Sequence, residues 1–148
     1  YQIKFIFFIL PEQAKKYPEI ISRIVDEGHL LGSHFMKHRI HIIDTKTVFL
    51  NSLNKSIKKI ESISQQNVQY CRIPHGFLLP WQEKWISQSG YEHVFWTLDS
   101  KDYLLEPRKK VISRIQKNIQ VNDIVLMHDG EASHPHIIQI VDEVLKSL

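Results

Sequence analysis

Short apolar runs alternate with helical patterns along the chain, and this alternation limits the possible folds more than any other feature. Strands are predicted at 3–10, 29–33, 68–73, 91–99 and 123–129. Apolar residues recur at helical spacing in 12–27, to about 64 after Asp44 or Thr45, from Pro80 to Gly90, after Pro107, and after Ser133 and Pro135. Asp44 or Thr45 is predicted to be the N-cap of the second helix, and Ser133 with Pro135 is predicted to cap the last one. The pattern predicts an α/β fold with about five parallel strands, arranged as an open sheet or as a barrel.

The composition is that of an ordinary globular domain. With 43% hydrophobic and 24% charged residues, the chain can bury a core and is not expected to be disordered or fibrous. Its length of 148 residues predicts one domain, 1–148. The basic residues behind the net charge of +3 are spread along the chain, so a nucleic-acid-binding module is not expected. Cys71 is the only cysteine, which excludes an intrachain disulfide.

No membrane span is expected, because the longest apolar stretch, 3–10, is about half of the roughly 20 residues that a spanning helix needs. The chain contains no basic segment followed by a small-residue cleavage site, so we expect no signal peptide within it. It begins with Tyr1, directly before a strand-like run, and we expect further sequence to precede this residue.

Side chains capable of chemistry follow the C-terminal ends of four predicted strands. They are, in chain order, His34 and His38, Arg72, Asp99 and Asp102, and His128 and Asp129. The C-terminal ends of parallel strands converge on one rim, which is where barrel enzymes build their active sites. We therefore expect these residues to form one site.

His34 and His38 stand four positions apart. On a helical turn this spacing brings two imidazoles to the same side, within reach of one zinc ion at about 2.0 to 2.1 Å. The chain has nine histidines, however, so such pairs also arise by chance. Taken singly, His128 is more typical of a structural histidine and Arg72 of a surface ion-pair partner, and Asp99 and Asp102 are compatible with caps of the following turn. Their shared placement at strand ends favours a metal site.

Four segments, taken together, have the order and approximate spacing of a known set of motifs. They are FFILPEQAKKYPEIISRIVDEGHLLGSH at 7–34, which leads into H-x-x-x-H, RIPHG at 72–76, DSKDY at 99–103 and LMHD at 126–129. The last three are similar to R-x-P-Y-G, D-x-x-D-W and L-x-H-D. The chain therefore resembles the polysaccharide deacetylases of the NodB homology type, carbohydrate esterase family four, over nearly all of its length.

The resemblance implies a fold, an activity and a cofactor. The fold is the distorted (β/α) barrel of the NodB or glycoside hydrolase-deacetylase type, here incomplete. The activity is metal-dependent hydrolysis of acetyl groups on N-acetylated glycans, such as chitin oligomers or peptidoglycan, or on O-acetylated xylan. The enzyme would thus be a hydrolase of carbon–nitrogen bonds other than peptide bonds. Zinc is the expected ion, with Co, Ni or Mn as alternatives, and the substrate class favours an extracytoplasmic or cell-wall location.

The resemblance also assigns roles to residues. His34 and His38 would bind the metal ion, which polarises the acetyl carbonyl and lowers the pKa of a bound water toward about 7, so that this water attacks the carbonyl. His128 would be the general acid for the leaving amine, and Asp102 would tune it. Arg72 would orient the catalytic base.

Three further residues would form the oxyanion and substrate pocket. The main-chain N–H of His75 would help to stabilise the oxyanion, and Leu126 would line the pocket for the acetyl methyl. His75 replaces the usual tyrosine of its motif, and Tyr103 replaces a tryptophan that forms an apolar wall.

The family's first motif, T-F-D-D-G, which supplies the base and a third metal ligand, has no match in the 148 residues. We therefore expect the domain to lack its first strand and this motif, and also its closing strand. The 148 residues alone are then expected to bind metal weakly and to turn over little substrate. The alternative is a catalytically inactive, carbohydrate-binding relative.

Overall fold

The computed structural model describes residues 3–130 and 133–148. They form two compact units, an N-terminal unit of residues 3–94 and a C-terminal unit of residues 95–130 with 133–148. Within the described residues, no helix is long and apolar enough to cross a membrane.

The N-terminal unit alternates strands and helices, as the sequence predicts. Its elements are β1 (Ile6–Ile9), α1 (Pro11–Lys16), α2 (Pro18–Asp26), β2 (Leu30–Ser33), α3 (Lys46–Ser64), β3 (Tyr70–Cys71), α4 (Pro80–Gln88) and β4 (Glu92–His93). The four strands form one sheet in the order β1-β2-β3-β4, with every pair parallel. This order places each new strand beside the preceding one, as crossover helices allow.

The register aligns the C-terminal ends of the strands in this sheet. Ile9 stands opposite Ser33, and Ser33 stands opposite Cys71. The residues that follow β2 and β3, His34 and Arg72, therefore leave the sheet side by side.

The helix predicted at 12–27 is two helices, α1 and α2, which meet at Tyr17. Pro18 is the first residue of α2. Proline has no N–H and its ring clashes with the preceding turn, so it is tolerated at a helix start but not inside a helix. The prediction of one helix was wrong because this proline was treated as an interior residue.

α3 packs its apolar face into the core of the N-terminal unit. Phe49, Leu53, Ile57 and Ile60 recur at spacings of three and four and are 0–1% exposed. The side chain of Thr45 accepts a hydrogen bond from the Val48 N–H, which confirms the predicted N-cap.

The single strand predicted at 91–99 is two short strands, β4 and β5 (Leu98–Asp99). The chain changes hydrogen-bond partner between them, because the Val94 N–H donates to Cys71 whereas the Thr97 N–H donates to Ile124. The described residues therefore contain six strands and six α-helices instead of about five of each.

In the C-terminal unit, β5 pairs in parallel with β6 (Val125–Leu126). Helices α5 (Arg108–Asn118) and α6 (Ile137–Leu145) supply the core residues Val111, Ile115, Ile140 and Val144. Pro107 precedes α5 as predicted. The predicted cap of the last helix by Ser133 and Pro135 was wrong: the cap position is His136, without a side-chain cap, and the Ser133 N–H donates to Gly130.

His93 ends β4 with a fully buried side chain that the sequence did not single out. Its Nε2 accepts a hydrogen bond of 3.0 Å from the Ile73 N–H, and its Nδ1 lies 3.7 Å from a Glu83 carboxylate oxygen. Burial, together with the positive charge of Arg72, lowers the pKa of His93 to about 4. The imidazole is therefore neutral in the fold at physiological pH.

This neutral histidine makes the stability of the fold depend on pH. The unfolded histidine has a pKa of about 6.5, so unfolding at pH 5 takes up a proton. The contribution of His93 is complete above pH 6.5 and is lost as the pH falls toward 4.

From pH 7.5 to pH 5, we expect the free energy of unfolding of the wild type to fall by about 2 kcal/mol more than that of His93→Gln, measured by urea titration. His136→Gln, which removes an exposed imidazole, is the control. Equal pH dependence in the wild type and His93→Gln would contradict the buried neutral state.

Candidate active site

His34 follows β2 and is oriented by the next strand of the sheet. Its main-chain N–H donates to the Ile9 carbonyl at 3.0 Å, and its Nδ1 lies 2.8 Å from the Arg72 carbonyl oxygen. A carbonyl only accepts, so Nδ1 carries a hydrogen, and in the neutral imidazole Nε2 then carries the lone pair. A main-chain carbonyl that fixes one ring nitrogen in this way is the usual partner of a metal-binding histidine.

The imidazole ring of His38 lies close to those of His34 and His75. The ring centroids of His34 and His38 are 5.1 Å apart, and those of His38 and His75 are 4.4 Å apart. Two imidazoles that bind one tetrahedral zinc ion through bonds of about 2.0 to 2.1 Å have ring centres about 5 Å apart. The separation of His34 and His38 therefore fits two ligand positions around one ion.

The described residues contain no group of three His, Cys, Asp or Glu side chains that could hold a metal ion. A catalytic zinc ion usually has three protein ligands. The donor set of the described residues thus fits a metal site only in part, through the spacing of His34 and His38.

The turn after β3 has a strained backbone. Pro74–Gly76 form one turn of 3-10 helix, in which His75 has φ +62° and ψ −2°. Non-glycine residues seldom adopt this left-handed region, although histidine does so more often than most. Strain of this kind costs about 1–3 kcal/mol and concentrates at functional sites. It occurs here at the residue whose main-chain N–H was predicted to stabilise an oxyanion.

Arg72 is 8% exposed and held from two sides. Its Nε donates to the Val94 carbonyl at 2.8 Å, and its guanidinium lies 4.2 Å from the centre of the Phe8 ring. Burial lowers the pKa of Arg72 to about 10, so the group stays charged at neutral pH. It is a fixed buried cation, and not the surface ion-pair residue that was the alternative.

Asp102 and His128 form a hydrogen-bonded pair in the C-terminal unit. The fully buried Asp102 accepts from the His128 main-chain N–H at 2.8 Å and from its Nδ1 at 2.9 Å. The hydroxyl of Ser100 also donates to Asp102, at 3.0 Å. Because Nδ1 donates to a carboxylate, Nε2 is the nitrogen of His128 available for chemistry. The Asp102 carboxylate therefore bonds mainly to His128 and Ser100, and capping of the following turn, the alternative role, is not its main function.

Opposing effects set the charge of Asp102. Burial by itself raises the pKa of this carboxyl, but the hydrogen bonds from the His128 side chain and main chain, the charge of His128 and the Ser100 hydroxyl outweigh burial. The pKa of Asp102 therefore lies below its ordinary value, and the group is a carboxylate at neutral pH.

Tyr103 stands edge-on to His128, with ring centroids 5.4 Å apart at an angle of 85°. Its hydroxyl donates to Asp99 at 3.0 Å. Burial, followed by this hydrogen bond, raises the pKa of Tyr103, so the hydroxyl stays protonated. Leu126, in β6, is 7% exposed, and its carbonyl accepts from the Ser100 N–H. The aromatic wall predicted at Tyr103 thus carries a polar tip that tryptophan lacks.

Some supporting residues were missed by the sequence analysis. Ser100, within the DSKDY motif, is fully buried and bonds to Asp102. Arg114 holds the same loop by donating to the Ser100 carbonyl at 2.6 Å, and it also pairs with Glu106. A serine directly after the first aspartate of the DSKDY motif was the only available signal for Ser100, and Arg114 gave none.

Each unit contains some of the predicted site residues. The N-terminal unit brings together His34, His38, Arg72 and His75, and the C-terminal unit brings together Asp102, Tyr103, Leu126 and His128. The roles of these residues, and their membership of one site, stay predictions.

Curated proteins similar to this chain include peptidoglycan deacetylases. A peptidoglycan-N-acetylglucosamine deacetylase of Bacillus cereus is 24% identical over 149 residues, which cover 100% of this chain and 54% of that protein. The peptidoglycan-N-acetylmuramic acid deacetylase PdaA of Bacillus subtilis is 32% identical over 108 residues, 70% of this chain and 40% of its own length. The chain therefore spans about half the length of the curated relatives it matches.

Solved structures with the same fold include a peptidoglycan N-acetylglucosamine deacetylase in complex with a benzamide ligand. It has a TM-score of 0.91 and 24% identity, over 97% of this chain and 68% of its own. A carbohydrate esterase family four pseudoenzyme from Bacillus anthracis has a TM-score of 0.83 and 20% identity, over 97% of this chain and 51% of its own.

These likenesses confirm the predicted α/β fold of the deacetylase type, with which a distorted and incomplete barrel is consistent. A model of one family, described as polysaccharide deacetylase, matches residues 1–94, and this is more than half of the chain. The chain belongs to the polysaccharide deacetylase family.

Proposed function

We propose that this protein is a metal-dependent deacetylase of N-acetylated or O-acetylated glycans, with peptidoglycan and chitin oligomers as its substrate classes. The observation that carries the proposal is the orientation of His34, whose Nδ1 donates to the Arg72 carbonyl while its ring lies 5.1 Å from that of His38. Family membership supports the same reaction. So do the names of relatives, which are peptidoglycan and chitooligosaccharide deacetylases.

The proposed cofactor is zinc, with Co, Ni or Mn as alternatives, held by His34 and His38. A bound divalent cation polarises an acetyl carbonyl and lowers the pKa of water toward about 7. His34 contributes Nε2, because its Nδ1 hydrogen is held by the Arg72 carbonyl. Imidazole nitrogens bind zinc as neutral groups, so metal affinity should fall when the pair is protonated.

His128 supplies the proton that amide hydrolysis requires at the departing nitrogen. Its side chain is 38% exposed, so a substrate can reach it, and its Nε2 is the atom that transfers the proton. The ionised Asp102 holds the ring through Nδ1 and stabilises the imidazolium form before the transfer.

Four further residues have roles in the proposed reaction, namely His75, Arg72, Tyr103 and Leu126. The His75 main-chain N–H, fixed by the left-handed turn, donates to the oxyanion that develops from the acetyl carbonyl. The buried charge of Arg72 orients a carboxylate base, while Tyr103 and Leu126 line the pocket for the acetyl group. An extracytoplasmic or cell-wall-associated location follows from such a substrate.

A second candidate is a catalytically inactive carbohydrate-binding relative. It is favoured by the absence, among the described residues, of three His, Cys, Asp or Glu side chains placed so that they could hold one metal ion. The two candidates differ in one measurable outcome: the enzyme releases acetate from N-acetylglucosamine oligomers, whereas the inactive relative binds the oligomers and leaves them intact.

The metal assignment predicts the effect of removing either ligand. We expect His34→Ala and His38→Ala each to lower zinc affinity by about 100-fold or more, because an outer-shell change alone typically costs 10–100-fold. Isothermal titration calorimetry on the purified protein measures this directly. His29→Ala, which removes a histidine of the same unit that accepts from the Phe5 N–H, is the matched control. Wild-type affinity in either ligand variant would show that the assignment is wrong.

The general-acid assignment predicts a loss of rate without a loss of metal. In the full protein as encoded, we expect His128→Ala and Asp102→Asn to lower acetate release by about 100-fold or more, the usual contribution of general acid catalysis. Zinc affinity should stay at the wild-type value in both variants. Tyr103→Phe removes only the hydroxyl bonded to Asp99 and serves as a milder control. Undiminished acetate release by His128→Ala would exclude the proton-donor role.

A further inference from the structure

The loop that carries His34 and His38 connects β2 to α3 and is held at two buried points. His38 lies in the exposed stretch 37–40, between the fully buried residues Phe35 and His41. The position of an exposed ligand on such a loop is set by the points at which the loop is fixed. We call these the Phe35 anchor and the His41 anchor.

The Phe35 anchor is made by serine hydroxyls. The Phe35 N–H donates to the Ser33 hydroxyl at 3.1 Å, and the Phe35 carbonyl accepts from the Ser56 hydroxyl at 3.1 Å. Ser33 in turn donates to Ser56 at 2.7 Å. These bonds tie the start of the loop to α3 and fix Phe35 in its left-handed conformation, with φ +61°.

The His41 carbonyl accepts from the Asp44 N–H at 3.1 Å and from a side chain of another helix. Gln82, fully buried on α4, donates through Nε2 to the His41 carbonyl at 2.9 Å, and its Oε1 accepts from the Leu79 N–H at 3.1 Å. Both ends of the amide are thereby satisfied. A buried glutamine without these partners would be costly, so its position in the core reflects the loop it holds.

The His41 ring extends the same anchor. It packs against Phe35 with ring centroids 4.7 Å apart, and its Nδ1 bonds to Asp44 at 2.7 Å. Asp44 also accepts two hydrogen bonds from Arg39, at 2.9 and 2.7 Å. The stretch that carries His38 is therefore closed at its C-terminal side by a bonded set of residues that starts at Gln82.

We propose that Gln82 is a positioning residue for the metal site: by fixing the His41 carbonyl it holds the loop so that His38 faces His34 at ligand spacing. The inference rests on the proposed function, because it assigns Gln82 a role toward the same cation. Gln82 itself contacts neither histidine ring and acts through the main chain of the loop.

The test is Gln82→Met, which keeps the length and volume of the side chain and removes the Nε2 donor. We expect zinc affinity, measured by calorimetry, to fall about 10–100-fold, the loss typical of outer-shell changes. In the metal-free protein, amide hydrogen exchange across residues 37–44 should become faster. Gln88→Met, the same change at an exposed position of α4, should alter neither quantity.

A purely structural role is excluded with Ile86→Val, which trims a fully buried side chain of the same helix. This variant should lower the melting temperature and leave zinc affinity unchanged. Wild-type zinc affinity in Gln82→Met, or an equal loss in Ile86→Val, would overturn the proposal. A wild-type protein that binds no zinc would instead contradict the proposed function. The hydrogen-exchange measurement needs no metal and would then test whether Gln82 holds the loop. Faster exchange in Gln82→Met supports this role, and unchanged exchange overturns it.

Discussion

The hydrogen bond from His34 to the Arg72 carbonyl joins the fold of the N-terminal unit to its candidate chemistry. It exists because β2 and β3 are parallel and paired in a register that ends at Ser33 and Cys71. The Arg72 N–H donates to the Ser33 carbonyl, and the Arg72 carbonyl then receives the His34 side chain. The ladder of the sheet thus continues into the site, and a shift of one residue in register would remove this partner.

The C-terminal unit uses the same principle with a carboxylate in place of a carbonyl. β5 and β6 end side by side, with Asp99 opposite Leu126, so Asp102 and His128 follow neighbouring strand ends. Three hydrogen bonds from His128 and Ser100 keep the buried Asp102 ionised, although burial alone favours its neutral form. Both units therefore fix a histidine through Nδ1, which leaves the chemistry of each ring to Nε2.

Much of the fold was readable from the sequence because it depends on local patterns. The alternation of apolar runs with helical spacing gave the parallel α/β arrangement, and the start of α3 was predicted at Asp44 or Thr45, of which Thr45 is the N-cap. The errors came from positions where one residue or a change of partner overrides the pattern. Pro18 divides a helix that apolar spacing presents as continuous, and the strand at 91–99 divides where its hydrogen-bond partner changes from Cys71 to Ile124.

In the candidate site, too, some residues could be predicted from local sequence patterns and others could not. The motifs named the residues that are predicted to carry the chemistry, because their types and order are specific. The residues that hold them could not be found in this way, since Ser100, His93 and Gln82 are common polar types whose function depends on burial. Only the three-dimensional packing shows that each is enclosed and bonded. The left-handed backbone of His75 is likewise a property of its turn and not of its residue type.

The Arg72 carbonyl is expected to hold His34 as one tautomer before any metal binds. Nitrogen-15 NMR of the metal-free protein at neutral pH measures this directly, because protonated and unprotonated ring nitrogens have well separated chemical shifts. The structure requires a hydrogen of His34 on Nδ1, since the Arg72 carbonyl can only accept, and in the neutral ring this leaves the lone pair on Nε2. A neutral ring whose only hydrogen is on Nε2 would show that the Arg72 carbonyl does not hold His34 in this way.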